Sequence, residues 1–171
     1  MKLVGAFFVL FASGGIGFLF AQELVRRNKE MEELCQLLKT ILGDIRYMRS
    51  TLPEAIGRAK KRHNGTYQLF LSEMEERLQQ AQEGTFSQIW KVSVQNGLRT
   101  AALQDEDKQK MIRFGEAISS AEREMIILSF EQYIDELQHG IQEAQRTIKD
   151  KVKLYRSLGV LSGIFLVVLF L

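Results

Sequence analysis

The chain has 171 residues, 23 Lys and Arg against 21 Asp and Glu for a net charge of +2, and a single Cys. That is one domain's worth of chain, without the basic excess of a nucleic-acid binder, and one Cys excludes both a disulfide scaffold and a multi-thiolate metal site. Charge is unevenly placed: Leu3 to Ala21 is a 19-residue run without a charged residue, Leu158 to Leu171 is another of 14, and every charge except Lys2 lies between them.

A helix over the first run is about 28 Å long, close to a hydrocarbon core of roughly 30 Å, so residues 1–21 are expected to be a transmembrane helix. Lys2 and Ala12-Ser13-Gly14 also fit a minimal signal peptide, but the apolar run continues to Ala21. Residues 158–171 reach only about 21 Å. Tyr155 and Arg156 stand where an interfacial anchor and a snorkelling cation belong, so this segment too is expected to insert, with local thinning of the bilayer. On the inner side of the two segments lie Arg26, Arg27, Lys29, Arg146, Lys149, Lys151, Lys153 and Arg156, against Lys2 outside. That asymmetry places the middle, 22–157, in the cytoplasm.

From Met31 the apolar positions run Leu34, Leu38, Ile41, Ile45, Met48 and Leu52 at alternating spacings of three and four, an amphipathic helix expected to stop near Ser50. Thr51-Leu-Pro-Glu54 has the form of a capping box with proline in the first turn, and starts a second helix, 52–62. Lys60, Lys61 and Arg62 suit its C-terminal dipole, and Asn64-Gly65 is expected to end it as a left-handed cap. A third helix carries Tyr67, Phe70, Leu71, Met74, Leu78 and Ala81 up to Gly84. Thr85-x-x-Gln88 caps a fourth, with Phe86, Ile89, Trp90 and Val94 on its buried side; its segment Val92 to Gly97 also resembles half a β-hairpin, but no second alternating run follows.

Asp105-Glu-Asp107 opens a fifth helix with the stripe Met111, Ile112, Phe114 and Ile118. Ser119-x-x-Glu122 is read as the cap of a long last helix, whose stripe Ile127, Phe130, Ile134, Leu137, Ile141, Ala144, Ile148, Val152, Tyr155 leads without a proline into the second apolar segment. The fold class is therefore all-α: a cytoplasmic antiparallel helical bundle whose long first and last helices continue into N- and C-terminal membrane helices. Its seam residues suffice to fold the middle without lipid, each buried Leu or Ile contributing roughly 1.5–3 kcal/mol.

No phosphate-binding loop, zinc-type His pair or nucleophile elbow is present, so neither catalysis nor a cofactor is expected. His63 and His139 read as exposed or capping, Cys35 as a small buried hydrophobe, and Tyr67, Phe70, Phe86 and Trp90 as core. One feature exceeds what a helix end requires. Arg58, Lys60, Lys61 and Arg62, followed by His63, form a candidate surface for an acidic partner or anionic headgroups; the plainer reading is a solvated helix terminus. Gly5, Gly14, Gly15, Gly17, Gly159 and Gly163 leave close-approach surfaces on the two apolar segments, for each other, for a second copy, or for another protein's spans.

Lys2-Leu-Val-Gly5, Ile45-x-Tyr47 ahead of Thr51-Leu-Pro-Glu-Ala55, Leu103-x-x-Glu-Asp107, Phe114-Gly115, Arg123-Glu124 and the ending Lys153-Leu-Tyr-Arg-Ser-Leu-Gly159-Val-Leu-Ser-Gly163 together resemble the stage III sporulation protein AB family of endospore-forming bacteria. The resemblance spans the chain; Thr51 stands where the family usually has a second proline, and Ser119 and Glu122 where it has Gly and Asp. It implies a membrane protein of the mother cell, part of the channel-like complex joining it to the forespore. Such proteins are similar to the inner-membrane platform of type II secretion and type IV pilus machines, which sits over a cytoplasmic ATPase. Two other functions fit the same layout: a two-span sensory module, which the charge asymmetry opposes, and a plain membrane-tethered adaptor.

Overall fold

The computed structural model describes the backbone of residues 2–80 and 84–170, and the side chains of 22–80, 84–147, 150, 153, 154 and 157. Among these residues there are six helices and no strand: α1 (Lys2–Tyr47), α2 (Leu52–Arg62), α3 (Gln68–Gln79), α4 (Phe86–Gly97), α5 (Asp105–Ser119) and α6 (Arg123–Phe170). The chain divides into two compact units, one of Lys29–Ile141 and one of Met1–Asn28 with Gln142–Leu171. In the latter, Gln22, Glu23, Val25, Arg26, Glu143, Arg146 and Lys153 are exposed. The apolar segments expected to span a membrane, in 1–21 and 158–171, lie outside the described side chains. Among the described residues no helix is long and apolar enough to cross a membrane.

Within Lys29–Ile141 the helix starts follow local chemistry. Thr51 is extended, its N–H donates to Glu54 Oε2 at 2.9 Å, and Pro53 lies in the first turn of α2. At α4 the box is reciprocal: Thr85 N–H donates to Gln88 Oε1 at 3.0 Å and Gln88 N–H to Thr85 Oγ1 at 3.4 Å. The α5 start has three acids in its first turn, and Asp107 Oδ2 accepts from Gln104 N–H at 2.9 Å. Val92 to Gly97 is helical, which removes the hairpin alternative.

Two expected helix ends are corrected. Ser119 does not cap α6: it is the last residue of α5, and its Oγ accepts from Ser87 N–H at 3.1 Å, supplying an acceptor for a free donor in the first turn of α4. Glu122 instead immediately precedes α6, its carbonyl accepting from Ile126 N–H at 2.9 Å. Nor does Asn64-Gly65 end α2 in a left-handed turn. His63 leaves the helix in extended conformation, at φ −99° and ψ 127°, and no described glycine has positive φ. The left-handed residue is Arg49, at φ 53°, just past the end of α1. The chain turns there, which leaves Met48, expected on the buried stripe, 60 % exposed.

The α1 seam buries Met31, Leu34, Leu38, Ile41 and Ile45, and the α6 seam buries Phe130, Ile134, Leu137 and Ile141. Their direction is fixed at the turn end: Arg123, the first residue of α6, donates through Nη2 to the carbonyls of Ile45 at 2.7 Å and Arg46 at 3.2 Å. These are carbonyls that the end of α1 leaves without helical partners, so α6 begins where α1 stops and the two run antiparallel. Arg46 and Glu131 pair across the same joint, and hydrogen bonding to Glu131 holds the Arg46 guanidinium above its ordinary range.

The remaining helices close on this pair through a run of rings. Phe70 of α3 meets Trp90 of α4 edge-on at 5.1 Å, Trp90 meets Phe114 of α5 at 5.7 Å, and Phe114 contacts Phe130 and Tyr133 of α6, each at 4.8 Å. Trp90 Nε1 donates to the Met111 carbonyl at 2.8 Å, so burying the indole leaves no donor unpaired. Two glycines permit the approach. A Cβ at Gly115 would fall inside the Trp90 indole, and one at Gly97 would fall on the Phe70 backbone.

Candidate functional site

The basic residues singled out in α2 do not form one free patch. Arg58 and Arg62, four residues apart on one face, reach across to α1 and hold the two oxygens of one carboxylate: Arg58 Nε lies 3.1 Å from Asp44 Oδ2, and Arg62 Nη1 lies 3.3 Å from Asp44 Oδ1. The Asp44 side chain is 6 % exposed, so it needs such partners. On the other side, Lys60 Nζ lies 2.5 Å from Glu75 Oε2 of α3. His63 takes the capping role of the two expected, as the C-cap residue of α2, and its side chain is 17 % exposed, with Nε2 2.9 Å from Glu33 Oε1, which also accepts from Thr66 N–H at 2.8 Å. Lys61 alone of the four candidate residues is exposed and forms no ion pair among the described residues.

Thus α2 is seated by its own cations. Ala55, Ile56 and Ala59 are buried, the ion pairs to α1 and α3 flank that face, and Lys61 is exposed. The cations Arg58, Lys60, Lys61 and Arg62 counted against the carboxylates Asp44, Glu54 and Glu75 leave 4 − 3 = +1 at this corner. The Glu54 carboxylate is held below its ordinary range, first by the hydrogen bond from the Thr51 backbone.

Asp44 and Glu30 are both buried. Glu30 Oε2 accepts from Ala102 N–H at 2.5 Å and its carbonyl accepts from the Tyr67 hydroxyl at 3.0 Å, so it anchors the α4–α5 connection and the start of α3 together. Burial raises the Tyr67 phenol far above its ordinary range and keeps it a donor. A signal existed: Glu30, Leu37 and Asp44 are spaced seven apart with Leu34 and Ile41 between them, so both acids stand on the edge of the seam.

His139 is exposed, 3.5 Å from Asp135, and Cys35 is buried and free. Among the described residues no group of three or more His, Cys, Asp or Glu is placed to hold a metal ion. What the arrangement offers chemically is a charged, shaped surface.

The model of the family described as stage III sporulation protein AB matches residues 2–171. Stage III sporulation protein AB of Bacillus subtilis (strain 168) is 22 % identical over 169 residues, covering 99 % of this chain and 98 % of that relative. A solved structure of stage III sporulation protein AB covers 72 % of this chain and 97 % of its own, with a TM-score of 0.64 at 16 % identity, which establishes a shared fold.

Proposed function

The chain belongs to the stage III sporulation protein AB family, and we propose that it serves as a non-enzymatic, membrane-anchored assembly component of the channel complex between mother cell and forespore. The family gives it a role in sporulation. Beyond that role, the reading has the chain in three parts: transmembrane segments in 1–21 and 158–171, and a cytoplasmic bundle, 22–157, on which a cytoplasmic ATPase and the complex's other membrane proteins assemble. The apolar runs and the Lys/Arg asymmetry support the membrane placement. A platform also needs a surface fixed to a rigid body, and the observation that carries the ATPase part is the seating of α2: buried Asp44 holds Arg58 and Arg62 and partly buried Glu75 holds Lys60, while Lys61 is exposed. Such charge contacts set association rate and register more than affinity.

Cross-linking the tagged full chain in sporulating cells tests this. Recovery of a cytoplasmic ATPase together with membrane proteins is the expected result; recovery of membrane proteins alone at normal expression would remove the platform role. An engineered cysteine at Gly84, which is exposed, checks topology: an impermeant thiol reagent should not label it in intact cells, and strong labelling would put the bundle outside.

A further inference from the structure

The chain has three asparagines, and two of them, Asn64 and Asn96, are followed by glycine. In such a pair the glycine nitrogen can reach the asparagine side-chain carbonyl, because no Cβ on the glycine hinders the approach. The reaction needs that nitrogen free of a hydrogen bond and a backbone able to shift. The fold treats the two pairs differently. Asn64 and Gly65 lie past the end of α2 and are both exposed, and among the described residues neither the Asn64 side chain nor the Gly65 N–H makes a hydrogen bond. Asn96 and Gly97 are the last two residues of α4. Gly97 is buried, its N–H stands in the helical ladder, and its backbone is packed so closely that a Cβ would fall on the Phe70 backbone.

The exposed pair also sits at a joint. Glu33 of α1 accepts from Thr66 N–H at 2.8 Å and lies 2.9 Å from His63 Nε2, and a Cβ at Gly65 would fall on that carboxylate. Packing therefore demands the glycine that makes Asn64 reactive.

We propose that Asn64 is a site of spontaneous deamidation, and that its product releases the α2–α3 connection from α1. The Gly65 nitrogen gives up its proton and bonds to Asn64 Cγ, the Cγ–Nδ2 bond breaks, and the side-chain nitrogen leaves with that proton as ammonia. Water then opens the succinimide at either carbonyl, leaving aspartate or isoaspartate at position 64. Either product adds a carboxylate two residues after Arg62, so the corner counted above at +1 becomes 4 − 4 = 0. Isoaspartate also places one more carbon in the main chain just before Thr66, which takes the Thr66 N–H out of register with Glu33. The change is irreversible and needs no partner of α2.

The full chain in a non-ionic detergent is incubated at mildly alkaline pH, sampled over time, digested with trypsin and read by mass spectrometry. Peptide 63–77 carries Asn64 and peptide 92–99 carries Asn96. In 63–77 the amide should convert to a carboxyl, and isoaspartyl methyltransferase should label part of the product. Peptide 92–99 should convert at least about tenfold more slowly, since α4 must open first. In concentrated guanidinium the two rates should come together. Equal rates in the folded chain overturn the proposal, and so does a 63–77 peptide that keeps its amide while the denatured chain loses it. Hydrogen exchange reads the release: the aged chain should lose protection at Thr66, and Asn64→Gln should keep both its mass and that protection through the same incubation. Unchanged protection at Thr66 in a deamidated chain overturns the release from α1.

Discussion

Helices α3 to α6 are joined by rings, and α2 is joined to α1 and α3 by charges. The first joint is Phe70, Trp90, Phe114, Phe130 and Tyr133 in contact, with the indole donor satisfied and glycine wherever the approach is tightest. Its strength comes from dispersion and from water excluded over large areas, which salt and pH barely touch. The second joint buries little beyond Ala55, Ile56 and Ala59, and relies on Asp44 with two half-exposed arginines and on Lys60 with Glu75. Pairs of that exposure are partly screened, and each contributes little alone. The difference separates tasks: an interior that holds shape, and a helix at its margin held by contacts that an incoming charged partner can rearrange.

The largest break in the comparison is Trp90→Ala. It removes the ring that Phe70, Phe86 and Phe114 all touch and takes the indole donor away from the Met111 carbonyl. The cost should be about 3–5 kcal/mol, read as a large fall in the thermal midpoint of the full chain by circular dichroism. A fall no larger than that of a surface substitution would mean the rings are not the main support.

Asp44→Asn probes the other joint. It keeps the shape and removes the charge that two arginines share, for a cost of about 2 kcal/mol, smaller than for a fully buried pair because Arg58 and Arg62 are 37 % and 49 % exposed. The difference from wild type should shrink in high salt, whereas that of Trp90→Ala should not. Amide hydrogen exchange should show α2 loosened first, and uniform loosening would contradict a helix held at the margin.

Legibility from sequence divides along the same line. Helix α2 appears at its expected bounds, and the apolar periodicity of α1 and α6 located seam residues from Met31 to Ile45 and from Phe130 to Ile141, because apolar burial is written directly in spacing. The ring contacts were visible only as core residues, since which aromatic meets which depends on how four helices pack. The ionic joint was the least legible. The basic run stood out, but its partners Asp44 and Glu75 lie 14 and 15 residues in sequence from Arg58 and Lys60, with Glu33 of α1 paired to His63, and a charge on an amphipathic helix is ordinarily taken for surface. Ser119 was misplaced for a related reason: a hydroxyl three residues before a Glu satisfies the capping pattern, yet Ser119 serves a donor on another helix.

The smallest expected effect sharpens the comparison at the start of α2. Glu54 is held below its ordinary range mainly because its carboxylate accepts from the Thr51 N–H. A carboxylate whose folded value is depressed stabilises the folded form above its unfolded value near 4, and that contribution is lost as pH falls through the lower folded value. Acidification should therefore loosen the first turn of α2 before the ring-joined helices respond, whose two buried phenols stay neutral at acid and neutral pH. Hydrogen exchange at Ala55 and Ile56, compared with Trp90 and Val94 at pH 5 and at about pH 3 after correction for intrinsic rates, should show protection falling only in the first pair. Glu54→Gln should flatten that pH dependence. Parallel loss of protection in α4 would mean that the two joints unfold as one.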